Sequence, residues 1–456
     1  MALCATLAQI AKAIAATPRN LSAETLSQLA SGVSTDTRQL KRNEIFLALE
    51  GDTFDGHRFV EAAHNRGALA AIVSSDQVLP KGLPYLQVGD TLHAYQQLAH
   101  WWRNYLGTTV VAITGSVGKT TTKEFVAAAL TSQGNVLKTR ANYNNEIGVP
   151  KTLLSLEPSH DYAVVEMGMR GRGEIALLSQ IAQPNVAIIT NVGTAHIGRL
   201  GTEQAIAAAK CELLAEMPAN SIAVLNNDND RLMKTAAMVW RGQQITFGLN
   251  GGDVCGRLVD GQTLTVEGLS LPLPLPGEHN ALNYLAAIAV MQALNLDWTV
   301  LTKGIAVDLP AGRGHRLELP NDVVVLDETY NAGAESMTAA LKLLADLPGQ
   351  RHIAVLGTMK ELGDHSLALH HHIGTVVKSL GIDQLLVLAD PSEAQALVEG
   401  AGSIPAQTFE THDVLVKALK EMMQAGDRIL FKASRSVALD RVVHQLCTDI
   451  GTDSDD

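Results

Sequence analysis

The apolar positions of this chain change period repeatedly, outlining short strands that alternate with helices. Val110 to Ile113 is a β-branched run of the kind a strand buried on both faces requires, and Phe125, Val126, Ala129 and Leu130 follow at helical spacing. Asp161–Glu166, Asn185–Gly193 and Ser221–Asp228 predict further strands. A helix from Glu203 carries a buried stripe of Ile206, Leu213 and Met217, with Lys210 on that face. On spacing alone, Lys210 is expected to snorkel past the core edge. Asp253 to Pro276 predicts hairpins, and Gly277 opens a long helix. Past Leu309–Gly314 the pattern restarts: Val323–Leu326, His352–Leu356, Gln384–Leu388 and Arg428–Phe431 alternate with helices, as in a doubly wound α/β unit.

The front of the chain differs. Met1 to Ala16 predicts an amphipathic helix, and the first eighty or so residues form a small α/β unit with no glycine loop. Thr91 to Leu106 predicts a linking helix whose Leu98, Trp101, Trp102 and Tyr105 pack together. The predicted fold is α/β in three domains, 1–84, 85–312 and 313–456, with Gly451 to Asp456 a disordered tail.

Between the strand ending at Ile113 and the helix starting near Lys119 stands Thr-Gly-Ser-Val-Gly-Lys-Thr, residues 114–120. Gly115 and Gly118 allow a tight turn whose N–H groups, with those of Ser116, Val117 and Thr121, face inward, and the helix adds the positive end of its dipole. The expected guest is a nucleotide phosphate, with Lys119 on the outer phosphates and the Thr120 hydroxyl on Mg²⁺. The longer form of this loop would place glycine where Ile113 stands. Glu166 ends one strand and His196 follows another, at the strand ends where open α/β sheets place their chemistry, and both are candidate metal ligands.

Composition narrows the partners. The 456 residues carry a net charge of -12, which argues against nucleic acid, because phosphate backbones are held by excess Lys and Arg. Four scattered cysteines without a C-x-x-C pair suggest neither a disulfide framework nor a zinc site and fit a reducing cytosol. Met1 to Ala16 lacks the basic start of a signal peptide, and no stretch is long enough for a membrane span. Two polar segments invite ligands: Ser34-Thr-Asp-Thr-Arg38, where an arginine among hydroxyls suits a pyrophosphate, and the asparagine-rich stretch 138–150. The histidines at 370–372 point in different directions on a helix and cannot share a metal.

Taken together, these residues resemble the Mur ligase family over nearly the whole chain. The family-wide marks are T-G-S-x-G-K-T at 114–120, Glu166, T-N-V-G-x-x-H at 190–196, Lys210, N-x-D at 226–228, G-x-H-N-x-x-N at 277–283 and G-R at 312–313. Narrower marks are S-x-D-T-R at 34–38, N-x-N-N-E-x-G-x-P at 142–150 and Y-N-A at 330–332. Departures are D-E-T-Y-N-A-G-A at 327–334, where the family often has D-D-S-Y-N-A-N-P, and Ala433 in place of the glycine of K-G-S-R.

The resemblance implies an ATP-dependent peptide ligase of the bacterial cytoplasm, acting as a monomer in peptidoglycan synthesis. It implies a central P-loop ATPase-like parallel sheet, a small UDP-substrate-binding N-terminal domain and a Rossmann-like C-terminal domain that takes the incoming dipeptide. The narrower marks imply UDP-N-acetylmuramoyl-tripeptide and D-alanyl-D-alanine as substrates, joined through an acyl phosphate. Thr120 and Glu166 would hold one Mg²⁺, and His196 with a carbamylated Lys210 a second. Asn283, Arg313 and Asp327 would contact ATP, while Ser34, Thr37, Arg38, Asn144, Asn145, Tyr330 and Asn331 would bind substrate. Three alternatives differ in their marks. Folylpolyglutamate synthetase would lack the UDP-binding domain, the ligase adding the third residue would carry D-N-P-R, and a nucleotide-binding regulator would not need Lys119, Glu166, His196 and Lys210 intact.

Overall fold

A computed structural model describes residues 3–51, 53–77 and 82–450 of the chain. The strand Thr109–Thr114 organises the middle of the molecule. Its side chains alternate between two apolar layers, as a pleated strand buried on both faces must. Val110 and Ala112 join a cluster with Leu98 and Trp102, while Val111 and Ile113 pack with Phe125, Leu130 and Tyr284. Phe125 and Tyr284 meet edge to face, ring centres 5.7 Å apart.

This strand sits third in a nine-stranded sheet ordered 136–138, 162–166, 109–114, 186–189, 222–226, 243–248, 254–258, 263–266 and 269–272. Its first seven strands are parallel, and the last two form the antiparallel hairpins expected of 253–276. Parallel pairing sets Ile113 beside Glu166 and Thr114 beside Ile189, so Glu166 and the 190–196 segment emerge at the edge where the glycine loop begins. The expected strand 185–193 ends at Ile189, because the residues after it turn toward that loop.

Two smaller sheets flank this one. The N-terminal sheet has the order 17–19, 85–88, 70–74, 45–47, 33–34. It includes Tyr85–Val88, which lies beyond the break expected at residue 84. The C-terminal sheet has the order 315–319, 323–327, 427–432, 351–357, 384–388, 406–408, with only its first strand antiparallel.

Helix Thr91–Leu106 joins the first two sheets. Asp90 caps it by accepting from the His93 N–H at 2.7 Å, and Gly107 ends it in a left-handed conformation. Trp102 is buried and donates its indole N–H to the Leu156 carbonyl at 3.0 Å, whereas Tyr105 is exposed and only stacks on the two tryptophans. The predicted helix at the front is shorter than expected, Leu7–Ala13, because Ala5–Thr6 pairs as a strand with Leu29–Ala30. No described helix is long and apolar enough to cross a membrane. The tail from Gly451 lies outside the described residues.

Candidate functional site

The glycine loop is held from one side by the segment that follows the neighbouring strand. Thr190 Oγ1 donates to the Val117 carbonyl at 2.7 Å, Asn191 Oδ1 accepts from the Val117 N–H at 3.0 Å, and Ser116 Oγ accepts from the Gly193 N–H at 2.9 Å. Glycine is required here by space. A Cβ on Gly115 would stand 1.9 Å from Thr190 Oγ1, and one on Gly118, which has φ +81°, 2.6 Å from Asn283 Oδ1. The helix Lys119–Thr131 starts at Gly118 with no side-chain cap, so its first N–H groups stay available to an anion. Lys119 folds back on its own loop, donating to the Gly115 carbonyl at 2.7 Å. Burial pushes its ammonium below the usual lysine range, Glu166 opposes this and Arg313 adds to it.

The loop opens onto a cavity of about 750 Å³. Ser116 to Thr121, Asn144, Asn145, Glu166, His196 and Asn283 line it from the middle unit, and Arg313, Tyr330 and Asn331 from the C-terminal one. Glu166 is buried; its Oε1 accepts from Asn144 Nδ2 at 2.8 Å, while Oε2 accepts no hydrogen bond among the described residues. Lys123 Nζ lies 3.8 Å from that oxygen and 3.0 Å from Glu124. Arg313 stacks on the Tyr330 ring at 4.2 Å, and Lys432 lies 3.7 Å from Glu328.

His196 lines the same cavity and contacts Glu361 through Nδ1 at 2.6 Å. Burial, with Lys119 and Lys210 nearby, lowers its pKa below the ordinary imidazole value against the pull of Glu361. Lys210 does not snorkel. It is 1% exposed, forms no ion pair among the described residues and is not part of the cavity wall. Burial, with Lys119 adding to it, holds its amine well below the usual lysine range.

Not every expected residue meets here. Asp327 turns away: its Oδ1 accepts from the Thr329 N–H and hydroxyl, and Glu328 lines the cavity instead. Ser34, Thr37 and Arg38 lie apart in the N-terminal unit, with Arg38 largely exposed and its fork on Asp36 rather than open. The Arg38 guanidinium, with a smaller contribution from Lys151 of the middle unit, pushes the Asp36 carboxyl down to about 2.

Several residues of the site were passed over in the sequence. Lys123 and Glu124 form a buried pair directly before the apolar run Phe125–Leu130 of the loop helix, a pattern that could have drawn notice. Glu335 accepts from the Thr194 N–H and hydroxyl across the unit boundary, and no local pattern announces it.

The chain matches known proteins along its length. Residues 30–103 match the Mur ligase family catalytic domain, 113–291 the Mur ligase middle domain and 312–435 the Mur ligase glutamate ligase domain. It is 55% identical to a UDP-N-acetylmuramoyl-tripeptide–D-alanyl-D-alanine ligase of Synechocystis sp. over 92% of each chain. A crystal structure of MurF from Acinetobacter baumannii superposes with a TM-score of 0.88 at 30% identity, covering 98% of this chain and 99% of that one. The MurF ligase of Thermotoga maritima in complex with ADP gives 0.81 at 29% identity, covering 92% and 97%. Matched by the family's domains along its length, by a relative at 55% identity and by solved structures over nearly the whole chain, this chain belongs to the Mur ligase family.

Proposed function

We propose that this chain is an ATP-dependent ligase that joins D-alanyl-D-alanine to UDP-N-acetylmuramoyl-tripeptide, releasing ADP and phosphate. The observation that carries this reading is an uncapped helix start behind a glycine loop, facing a cavity whose opposite wall comes from another unit. A nucleotide on one wall and the incoming dipeptide on the other would meet in it. The ADP complex of the Thermotoga maritima relative and the name of the Synechocystis relative support the two substrate classes.

Forming an amide from a carboxylate needs a leaving group. Transfer of the γ-phosphoryl group of ATP to the terminal carboxylate of the tripeptide supplies one, as the bond to ADP breaks and a carboxyl O–P bond forms. The dipeptide amine then adds to the carbonyl carbon and gives up a proton, and the C–O bond to phosphate breaks, so that the phosphate leaves carrying that bond's electron pair. Lys119, released from the Gly115 carbonyl, holds the phosphoryl oxygens. Gly115 to Thr121 cradle the phosphates, Asn283 and Arg313 hold the nucleotide from opposite units, and Asp327 supports the turn beside them. Tyr330 and Asn331 face the dipeptide, with Asn144 and Asn145 on the muramoyl side. Ser34, Thr37 and Arg38 take the UDP end.

The residues fit a hard divalent cation. Glu166 offers a buried oxygen with no hydrogen bond among the described residues, and Thr120 a hydroxyl on the same wall. Among the described residues no three His, Cys, Asp or Glu side chains converge, so further oxygens must come from elsewhere. Thr120 and Glu166 would hold one Mg²⁺, and His196 with a carbamylated Lys210 a second. Bound Mg²⁺ would offset the charge that builds on the phosphoryl oxygens. We place the enzyme in the bacterial cytoplasm, as a monomer. Phosphate release that requires ATP, the tripeptide nucleotide and the dipeptide together is the expected result of a steady-state assay. Release without the dipeptide would overturn the ligase reading.

A further inference from the structure

The polar segment Gly357 to Asp364 follows a strand of the C-terminal sheet, and its Glu361 reaches into the middle unit. The contact is built from both sides. Glu361 Oε2 lies 2.6 Å from His196 Nδ1, its Oε1 lies 3.7 Å from Arg199, and its own carbonyl accepts from the Gly198 N–H at 3.2 Å. Gly198 and Gly363 make this approach possible. A Cβ on Gly198 would stand 2.5 Å from Gly363 N, and one on Gly363 2.8 Å from Gly198 Cα. His196 and Glu361 both take left-handed backbone conformations, with φ of +68° and +64°. Non-glycine residues adopt these only at a cost that the surroundings must offset.

We propose that Glu361 is a positioning residue that reaches across the unit boundary to fix the His196 ring, so that His196 is aimed into the cavity only when the Gly198–Gly363 contact is made. This rests on the reading of His196 as a metal ligand given above. With Nδ1 held by the carboxylate, Nε2 is the nitrogen left to bind, and the carboxylate sets ring orientation and tautomer as carboxylate partners of ligating histidines do. Closure of the units and completion of the site then become one event. A nucleotide bound in the loop with the units apart would meet a histidine free to rotate, and phosphoryl transfer would be slow until the C-terminal unit docks.

The test uses the full-length enzyme and four variants, each first checked for a native melting transition. Glu361→Ala should lower kcat about 10- to 100-fold and weaken Mn²⁺ binding to the ADP complex, read by electron paramagnetic resonance, by about tenfold or more, with ADP affinity in EDTA unchanged. Gly198→Ala keeps the Glu361 carboxylate but blocks the close approach, and should reproduce the fall in kcat. In a His196→Ala background, Glu361→Ala should cost nothing further. Wild-type kcat and Mn²⁺ affinity in Glu361→Ala, beside an impaired His196→Ala, would overturn the positioning role alone, as would additive losses in the double variant. Wild-type Mn²⁺ affinity in His196→Ala would instead overturn the metal reading on which the proposal rests.

Discussion

The Lys123 ammonium lies 3.8 Å from Glu166 Oε2, a buried carboxylate oxygen that accepts no hydrogen bond among the described residues, and 3.0 Å from Glu124. Lys138 contacts Glu124 from the surface side, so charges alternate inward from Lys138 to Glu166. Lys123 is 1% exposed, and its removal would leave two buried carboxylates short of a partner. Lys123→Met should therefore destabilise the protein by about 3–5 kcal/mol. An unchanged urea midpoint would show that water or rearrangement compensates the charges.

Lys119 is the loop's own cation, held 2.7 Å from the Gly115 carbonyl. Lys119→Ala should reduce kcat by about a hundredfold or more, because the lost charge acts where negative charge builds during transfer. Circular dichroism should stay native. Near wild-type turnover from a folded variant would remove Lys119 from the mechanism.

Arg38 stands away from the cavity and forks onto Asp36. Arg38→Ala should raise KM for the UDP substrate and leave KM for ATP nearly unchanged, since binding is lost at one site only. Equal changes in both constants would make the segment structural.

Lys210 carries the pH dependence. Its amine is held well below the usual lysine range by burial, so neutral amine is available at lower pH than in a solvent-exposed lysine. The neutral amine adds to CO₂ and loses one proton, giving a carbamate anion. Acid favours the reverse. Enzyme held at mildly acidic pH in CO₂-free buffer should lose activity, then regain it when bicarbonate is added and the pH raised. Lys210→Ala should be nearly inactive and partly rescued by acetate, while Lys210→Arg should not respond, because its charge stays positive and the volume stays filled. Full activity of Lys210→Ala without carboxylate would rule the carbamate out.

Helix Thr91–Leu106, the loop helix from Lys119 and the parallel strands were all legible in the chain, because their signals are local. An apolar period and two loop glycines each act within a few residues of themselves. Glu166 and His196 were legible for a related reason: they follow strands, and parallel pairing carries strand ends to one edge. Distance in the chain hid the rest. Spacing put Lys210 on a buried stripe but could not say how thickly other helices cover it, and the folded protein leaves it 1% exposed. Asp327 and Glu328 are adjacent, and only the turn that Thr329 makes with Asp327 decides which of them faces the cavity. Glu361 meets His196 from 165 residues away. A contact of that kind depends on how two separately folded sheets dock, which no local pattern records, because the surfaces that dock exist only after each sheet has formed.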